Sequence, residues 1–141
     1  MKKIILPTCM IFLAILSCNK KDKEANCVTS TTTLSGNYKF SSIKYKQTPA
    51  SAEVDLFATF DACEKDDIHN FAANGTYSYQ DAGVVCSPNG SYVSTWSYVG
   101  TTFTVDGDIA TIQSFDCTTL IAYIVNQQVA GDRVTYTLIK Q

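Results

Sequence analysis

Short runs of aromatic and β-branched residues, separated by tight-turn signals, recur along this chain from residue 36 to its end. Asn74-Gly75 and Asp106-Gly107 are the clearest of these signals, because both residue types tolerate the positive φ values of tight hairpin turns. Runs of this kind are typical of β-strands, and short turns between them indicate antiparallel neighbours. The pattern therefore predicts an all-β fold.

Eight strands are expected, at residues 36–46, 68–71, 76–79, 92–98, 102–105, 109–115, 118–125 and 133–139. Residues 53–63 instead carry apolar side chains at a helix-compatible spacing, so we expect one short helix or turn there. Eight hairpin-linked strands in one domain favour a single antiparallel up-and-down barrel, because closure of the sheet removes exposed strand edges. A two-sheet sandwich is the alternative.

The N-terminal residues have a different character. Lys2 and Lys3 precede an apolar run that ends at Leu16, and such a run is too short, as a helix, for a hydrocarbon core of about 30 Å. A basic start before a short apolar run is typical of an export signal. The following Ser17-Cys18 completes a segment that resembles the lipobox of bacterial lipoproteins, whose cysteine receives the lipid. We expect residues 1–17 to be a signal peptide, residues 18–33 a lipidated N-terminus and flexible tether, and residues 34–141 the folded domain.

This interpretation sets the expected location and partners. The lipobox resemblance implies a protein anchored by acyl chains in the cell envelope of a Gram-negative bacterium, in the outer membrane, with the leaflet left open. The chain has 13 acidic and 11 basic residues, and five of the basic ones precede residue 24, so the domain itself is acidic. A surface without a basic stripe binds phosphate poorly, and we therefore expect the membrane but no nucleic acid as a partner. The sequence identifies no protein partner.

Four cysteines remain after the signal is removed and Cys18 is acylated: Cys27, Cys63, Cys86 and Cys117. An even number in an exported domain favours two disulfides. Three pairings exist, and we favour Cys63–Cys86 with Cys27–Cys117. A zinc site is disfavoured, because no two of these cysteines have a short metal-ligand spacing and no histidine accompanies them.

The sequence offers little support for catalysis. His69 is the single histidine, and we expect it at the surface beside a hairpin. Ser41 and Lys44 spell the S-x-x-K motif of penicillin-binding enzymes, but on a strand these two side chains point to opposite faces. The acidic groups around Asp66-Asp67 and at Asp106-Gly107-Asp108 have neither the number nor the spacing of calcium ligands. We expect no enzyme activity, no metal and no cofactor.

Several segments resemble the lipocalin-like domain of small bacterial lipoproteins. They are Leu34-Ser35-Gly36-Asn37-Tyr38, the segment from Cys63 to Ile68, the hairpin from Phe71 to Tyr77, Cys86, and Trp96 in a Gly-x-x-x-x-x-Trp segment. The resemblance covers nearly all of residues 34–139 and implies a barrel that can hold a small apolar ligand. Lipocalins begin the first strand with Gly-x-Trp and pack an arginine of the last strand over that tryptophan. This implies a Tyr38–Arg133 cation–π contact that closes one barrel end.

Many aromatic residues must fill the barrel, but tyrosine and tryptophan also suit the wall of a site for an amphipathic molecule. Tyr79, Tyr92, Trp96 and Tyr98 are the candidates for such a wall. Two functions are compatible with these observations. One is binding of a small hydrophobic or amphipathic ligand in the cell envelope. The alternative is a structural or interaction protein with a filled barrel, acting as an accessory to an envelope complex.

Overall fold

The computed structural model describes residues 27–141, and all of the strands in this range belong to one antiparallel sheet. No helix among these residues is long and apolar enough to cross a membrane. The strands are β1 (Gly36–Lys46), β2 (Val54–Asp55), β3 (Ile68–Phe71), β4 (Thr76–Gln80), β5 (Tyr92–Val99), β6 (Thr102–Val105), β7 (Asp108–Phe115), β8 (Thr119–Val125) and β9 (Arg133–Lys140). The helices are α1 (Thr31–Leu34), α2 (Ala62–Lys65) and a 3₁₀ turn (Phe57–Thr59).

The sheet closes on itself, because β1 pairs with β9 from Tyr38 to Lys46 as well as with β3 through residues 36–38. The remaining strands pair with their sequence neighbours, which confirms the predicted up-and-down barrel and rules out the sandwich. The eight expected strands are present. A ninth, the two-residue β2, pairs with β1 inside the segment where one helix or turn was expected, and the 3₁₀ turn and α2 follow it.

One end of the barrel is packed solid, and we call it the closed end. Leu34 of α1 and Tyr38 of β1 are fully buried there, and the Tyr38 hydroxyl donates to the Leu34 carbonyl oxygen at 2.9 Å. Trp96 packs on Phe71 and Phe103, and its indole N–H donates a hydrogen bond to the Ala72 carbonyl oxygen at 2.8 Å. Since buried apolar side chains supply most of the folding free energy, this cluster is the core of the domain.

The prediction of a Tyr38–Arg133 contact is wrong. In the register of β1 with β9, Tyr38 lies opposite Lys140, whereas Arg133 lies opposite Lys46 at the other end of the strand pair. The Lys140 ammonium lies 5.8 Å from the centre of the Tyr38 ring and donates to the Thr33 carbonyl oxygen at 2.8 Å. Arg133 faces outward and stacks at 3.8 Å on the ring of Tyr123. A lysine from the last residue of β9 therefore takes the place predicted for the arginine.

Gly36 makes room for this lysine. A Cβ atom at position 36 would lie 2.5 Å from the Lys140 Cε atom, and the Gly36 φ of +145° is one that other residues rarely adopt. The glycine that opens β1 therefore lets the lysine stem cross the backbone on its way to Thr33.

Both favoured disulfides are present. Cys27–Cys117 ties the entry of the domain to the turn between β7 and β8, and Cys63–Cys86 ties α2 to the long loop between β4 and β5. Bridges that close loops of this length stabilise a domain by about 3–5 kcal/mol, chiefly by restricting the unfolded chain. The expected signal peptide, Cys18 and most of the expected tether lie outside the described residues.

The loop between β8 and β9 is organised by one carboxylate. Asp132 is 1 % exposed and accepts backbone N–H groups from Gln127, Gln128 and Val129 at 2.8–2.9 Å. Burial alone would raise the pKa of Asp132, but these N–H donors outweigh it and lower the pKa. The ionised form of Asp132 therefore stabilises the fold.

Replacing Lys140 by Met keeps most of the apolar stem and removes the charged donor. We expect Lys140→Met to lower the free energy of unfolding by about 1–3 kcal/mol, because the Thr33 carbonyl oxygen loses a charge-assisted hydrogen bond and Tyr38 a cation–π contact. Urea unfolding measures the change. Lys39→Met, at an outward-facing position of β1, is the control and should change stability by less than about 0.5 kcal/mol. Equal losses in the two variants would contradict the assignment.

Asp132 also predicts a pH dependence. A group whose pKa is lowered by folding stabilises the protein above its unfolded pKa of about 3.9, and this contribution is lost as the pH falls through the lower folded value. Asp132→Asn should therefore have a lower Tm than the wild type at pH 7, and the difference should shrink below about pH 4. Thermal unfolding followed by circular dichroism tests this, and a difference that does not depend on pH would argue against it.

Candidate ligand cavity

A cavity of about 180 Å³ lies within the other half of the barrel. Its floor is formed by Phe71, Phe103 and Leu138, which also belong to the core cluster. Ala110 of β7 and Ala122 of β8 are buried in its wall. Because small side chains at inward-facing positions leave space that large ones would fill, these two alanines help to create the cavity.

The cavity opens near the turn between β6 and β7, and we call this the open end. Tyr92, Asp106 and Asp108 line the cavity there and are exposed. β7 pairs with β8, and β8 pairs with β9. Through these pairings the turn lies at the end of the barrel where β9 begins, whereas α1 packs at the end where β9 finishes. The opening and the packed core thus occupy opposite ends of the barrel.

His69 lines the cavity, so the expected surface position of this residue is wrong. It is only 9 % exposed, since Phe40 packs on its ring at 4.3 Å and Tyr79 at 5.3 Å. Burial lowers the pKa of His69 to about 4, and the imidazole is therefore neutral at pH 7. A neutral ring nitrogen can donate or accept a hydrogen bond but adds no charge to the wall.

A hydrogen bond joins His69 to Tyr77, which lies diagonally across from it on β4. Nδ1 of His69 lies 2.8 Å from the Tyr77 hydroxyl oxygen, and the two rings are stacked at 6.1 Å. Burial is the main cause that raises the pKa of Tyr77, so its hydroxyl stays protonated. Among residues 27–141, Nε2 of His69 has no hydrogen-bond partner. The wall therefore offers a neutral polar atom beside aromatic rings.

The four expected wall residues separate in the structure. Tyr92 lines the cavity. Trp96 and Tyr98 pack with the core cluster toward the closed end, because β5 crosses the barrel and only its first residues reach the opening. The Tyr79 hydroxyl donates a hydrogen bond to the buried carboxylate of Asp67, and its ring packs at the edge of the core cluster. Tyr79, Trp96 and Tyr98 are therefore not among the residues that line this cavity.

Other wall residues were not foreseen. Ala110, Ala122 and Phe103 each lie at inward-facing positions of their strands, so alternation could have suggested them, but alternation alone does not separate core from cavity. His69 was missed because its aromatic surroundings come from β1 and β4 rather than from its own strand.

The chemical character of the cavity wall can be compared with that of known kinds of site. His69 has the Tyr77 hydroxyl as its hydrogen-bond partner. Within the described part of the chain, no three His, Cys, Asp or Glu side chains are grouped so as to hold a metal ion. A pocket with aromatic walls and a few polar atoms is instead typical of a small-molecule site.

Comparison with known proteins bears on this interpretation. A family model described as the lipocalin-like domain matches residues 34–121, from the last residue of α1 into β8. No curated protein and no solved structure matches the chain. The match spans more than half of the sequence and agrees with the closed antiparallel barrel and the cavity that opens at one of its ends. The chain therefore belongs to the lipocalin-like domain family.

Proposed function

We propose that this protein binds a small, mostly apolar molecule in the barrel cavity while anchored to a bacterial envelope membrane by a lipid on Cys18. The observation that carries the binding proposal is the cavity itself, which is lined by Phe71, Tyr77 and Phe103 and opens at one end of the barrel. Family membership supports the same function, since lipocalin-like barrels are associated with ligand binding rather than with catalysis.

The size of the cavity limits the ligand. At about 180 Å³ the space is smaller than the several hundred cubic ångströms that would suit a lipid. An apolar cavity of about 150 Å³ in another protein accommodates benzene. The ligand should therefore be about the size of one aromatic ring with a short substituent, and long acyl chains should be excluded.

The anchor proposal agrees with the geometry of the domain. Cys27, the first described residue, is bridged to Cys117 in the turn from which β8 starts toward the open end. The chain thus enters the domain on the side of α1 and the closed end. An N-terminal lipid would hold the closed end toward the bilayer and direct the cavity opening away from it.

A neutral single-ring probe, 2-phenylethanol, tests the binding proposal. We expect a dissociation constant of roughly 0.05–1 mM, by titration calorimetry or amide chemical shifts, because a ligand this small has few contacts to make. Ala110→Leu fills the cavity and should weaken binding at least tenfold. Thr111→Leu introduces the same side chain at the next, outward-facing position of β7 and should leave binding unchanged. Equal affinity in Ala110→Leu and the wild type would place the probe elsewhere, and no binding to the wild type would favour the alternative of a filled accessory barrel.

The anchor is tested in cells. We expect the wild type to incorporate a radiolabelled or clickable palmitate and to sediment with membranes. Cys18→Ser should lose both properties, because it has no thiol to receive the diacylglyceryl group. Cys9→Ser, within the expected signal, is the matched control and should still be labelled. Labelling of Cys18→Ser would contradict the proposed anchor.

A further inference from the structure

The open end of the cavity is acidic. Asp106 and Asp108 both line it, and Lys and Arg are absent from the cavity wall formed by the described residues. Since His69 is neutral at pH 7, the wall carries negative charge and no positive charge. A carboxylate ligand, such as a fatty acid, would be repelled on entering.

These two carboxylates have no cationic partner in the described part of the chain. The one salt bridge among residues 27–141 joins Lys44 to Asp55 on the outer surface. Asp106 accepts a hydrogen bond from the Ser94 hydroxyl through Oδ1, which leaves Oδ2 free. Two unpaired carboxylates beside an apolar cavity attract cations, because their field is least screened where the wall excludes water.

The negative charge acts within the cavity. Burial is the largest cause of the raised pKa of Tyr77, and the charge of Asp106 adds to it. Burial likewise raises the pKa of Tyr136, and the charge of Asp108 contributes in the same direction. A field that disfavours a phenolate at these tyrosines favours a positive charge in the same space.

The remaining wall suits the apolar part of a cation. Phe40, Tyr77, Tyr92 and Tyr136 present aromatic rings around the space between the floor and the opening. Aromatic faces attract ammonium groups as well as apolar surface. The free Nε2 of His69 could accept a hydrogen bond from an ammonium or hydroxyl group.

The geometry points to a small aromatic amine as the ligand, with its ring above Phe71 and Phe103 and its protonated amine between Asp106 and Asp108. This inference rests on the proposed function, because it names the chemical class of the molecule that the cavity takes. The carboxylates select charge, while the volume of the cavity selects a single ring.

Three single-ring probes of similar size test the inference: 2-phenylethylamine, 2-phenylethanol and phenylacetate, which are cationic, neutral and anionic at pH 7. We expect the amine to bind about tenfold more tightly than the alcohol, and the carboxylate to bind more weakly than both. The preference for the amine should fall when the salt concentration is raised from 20 to 500 mM, because the open end is exposed to solvent.

The double variant Asp106→Asn with Asp108→Asn should remove the preference and leave the affinity for 2-phenylethanol within about twofold of the wild type. Asn suits position 106, since it tolerates the φ of 52° found there and keeps an acceptor for Ser94. Glu53→Gln removes a negative charge near the outward-facing Arg133, away from the cavity, and serves as the control for a loss of acidic charge elsewhere on the domain. It should preserve the preference.

The outcomes separate the two proposals. If the alcohol binds and the amine binds no more tightly, or if the double variant keeps the full preference, the amine inference is overturned while the cavity proposal stands. If none of the three probes binds to the wild type, the cavity proposal itself fails.

Discussion

The pairing of β1 with β9 is the constraint on which the rest of this structure depends. It turns a nine-stranded antiparallel sheet into a ring and gives every strand an inside and an outside. Because β1 also pairs with β2 and β3, its eleven residues hold three neighbours in register. That register brings Lys140 to Tyr38 and places Arg133 on the outer surface. An irregularity between Phe40 and Ser42 lets the strand bend around the barrel while Ile43 remains buried.

Closure also explains why a barrel of this size has both a core and a cavity. Inward-facing Leu34, Tyr38 and Trp96 fill the closed end, where α1 covers it. In the other half of the barrel β7 and β8 contribute the small side chains of Ala110 and Ala122 to the wall, and among residues 27–141 the cavity lining comes from strands and the turn between β6 and β7. The same sheet therefore supplies folding free energy at one end and an accessible apolar space at the other.

The two carboxylates of the cavity wall lie at its open end. The turn between β6 and β7 needs positive φ at Asp106 and Gly107, and Asp-Gly is a favoured pair for such a turn. The residues that form the hairpin thus also place a carboxylate at the opening. Asp108 adds a second carboxylate there. Turn formation alone explains Asp106-Gly107-Asp108 in the sequence, but in the folded barrel these residues also make the cavity opening negatively charged.

Much of the architecture could be predicted from the sequence, because strands with period-two alternation and Asp-Gly or Asn-Gly turns are determined locally. The disulfide pairing was also favoured correctly, since the expected strand order brings those cysteines together. The partner of Tyr38 could not be predicted, because it depends on the register of strands about a hundred residues apart. The cavity wall could not be predicted either, since Tyr92 and Trp96 share one face of β5 and differ only in their height along the barrel.

A crystal structure of the protein soaked with 2-phenylethylamine would show directly whether the barrel keeps an open apolar cavity with an acidic rim. We expect electron density for the ring beside Phe103 and Tyr77, with the amine within hydrogen-bond distance of Asp106 or Asp108. A barrel whose aromatic side chains have collapsed into the space, with no density between floor and opening, would contradict it.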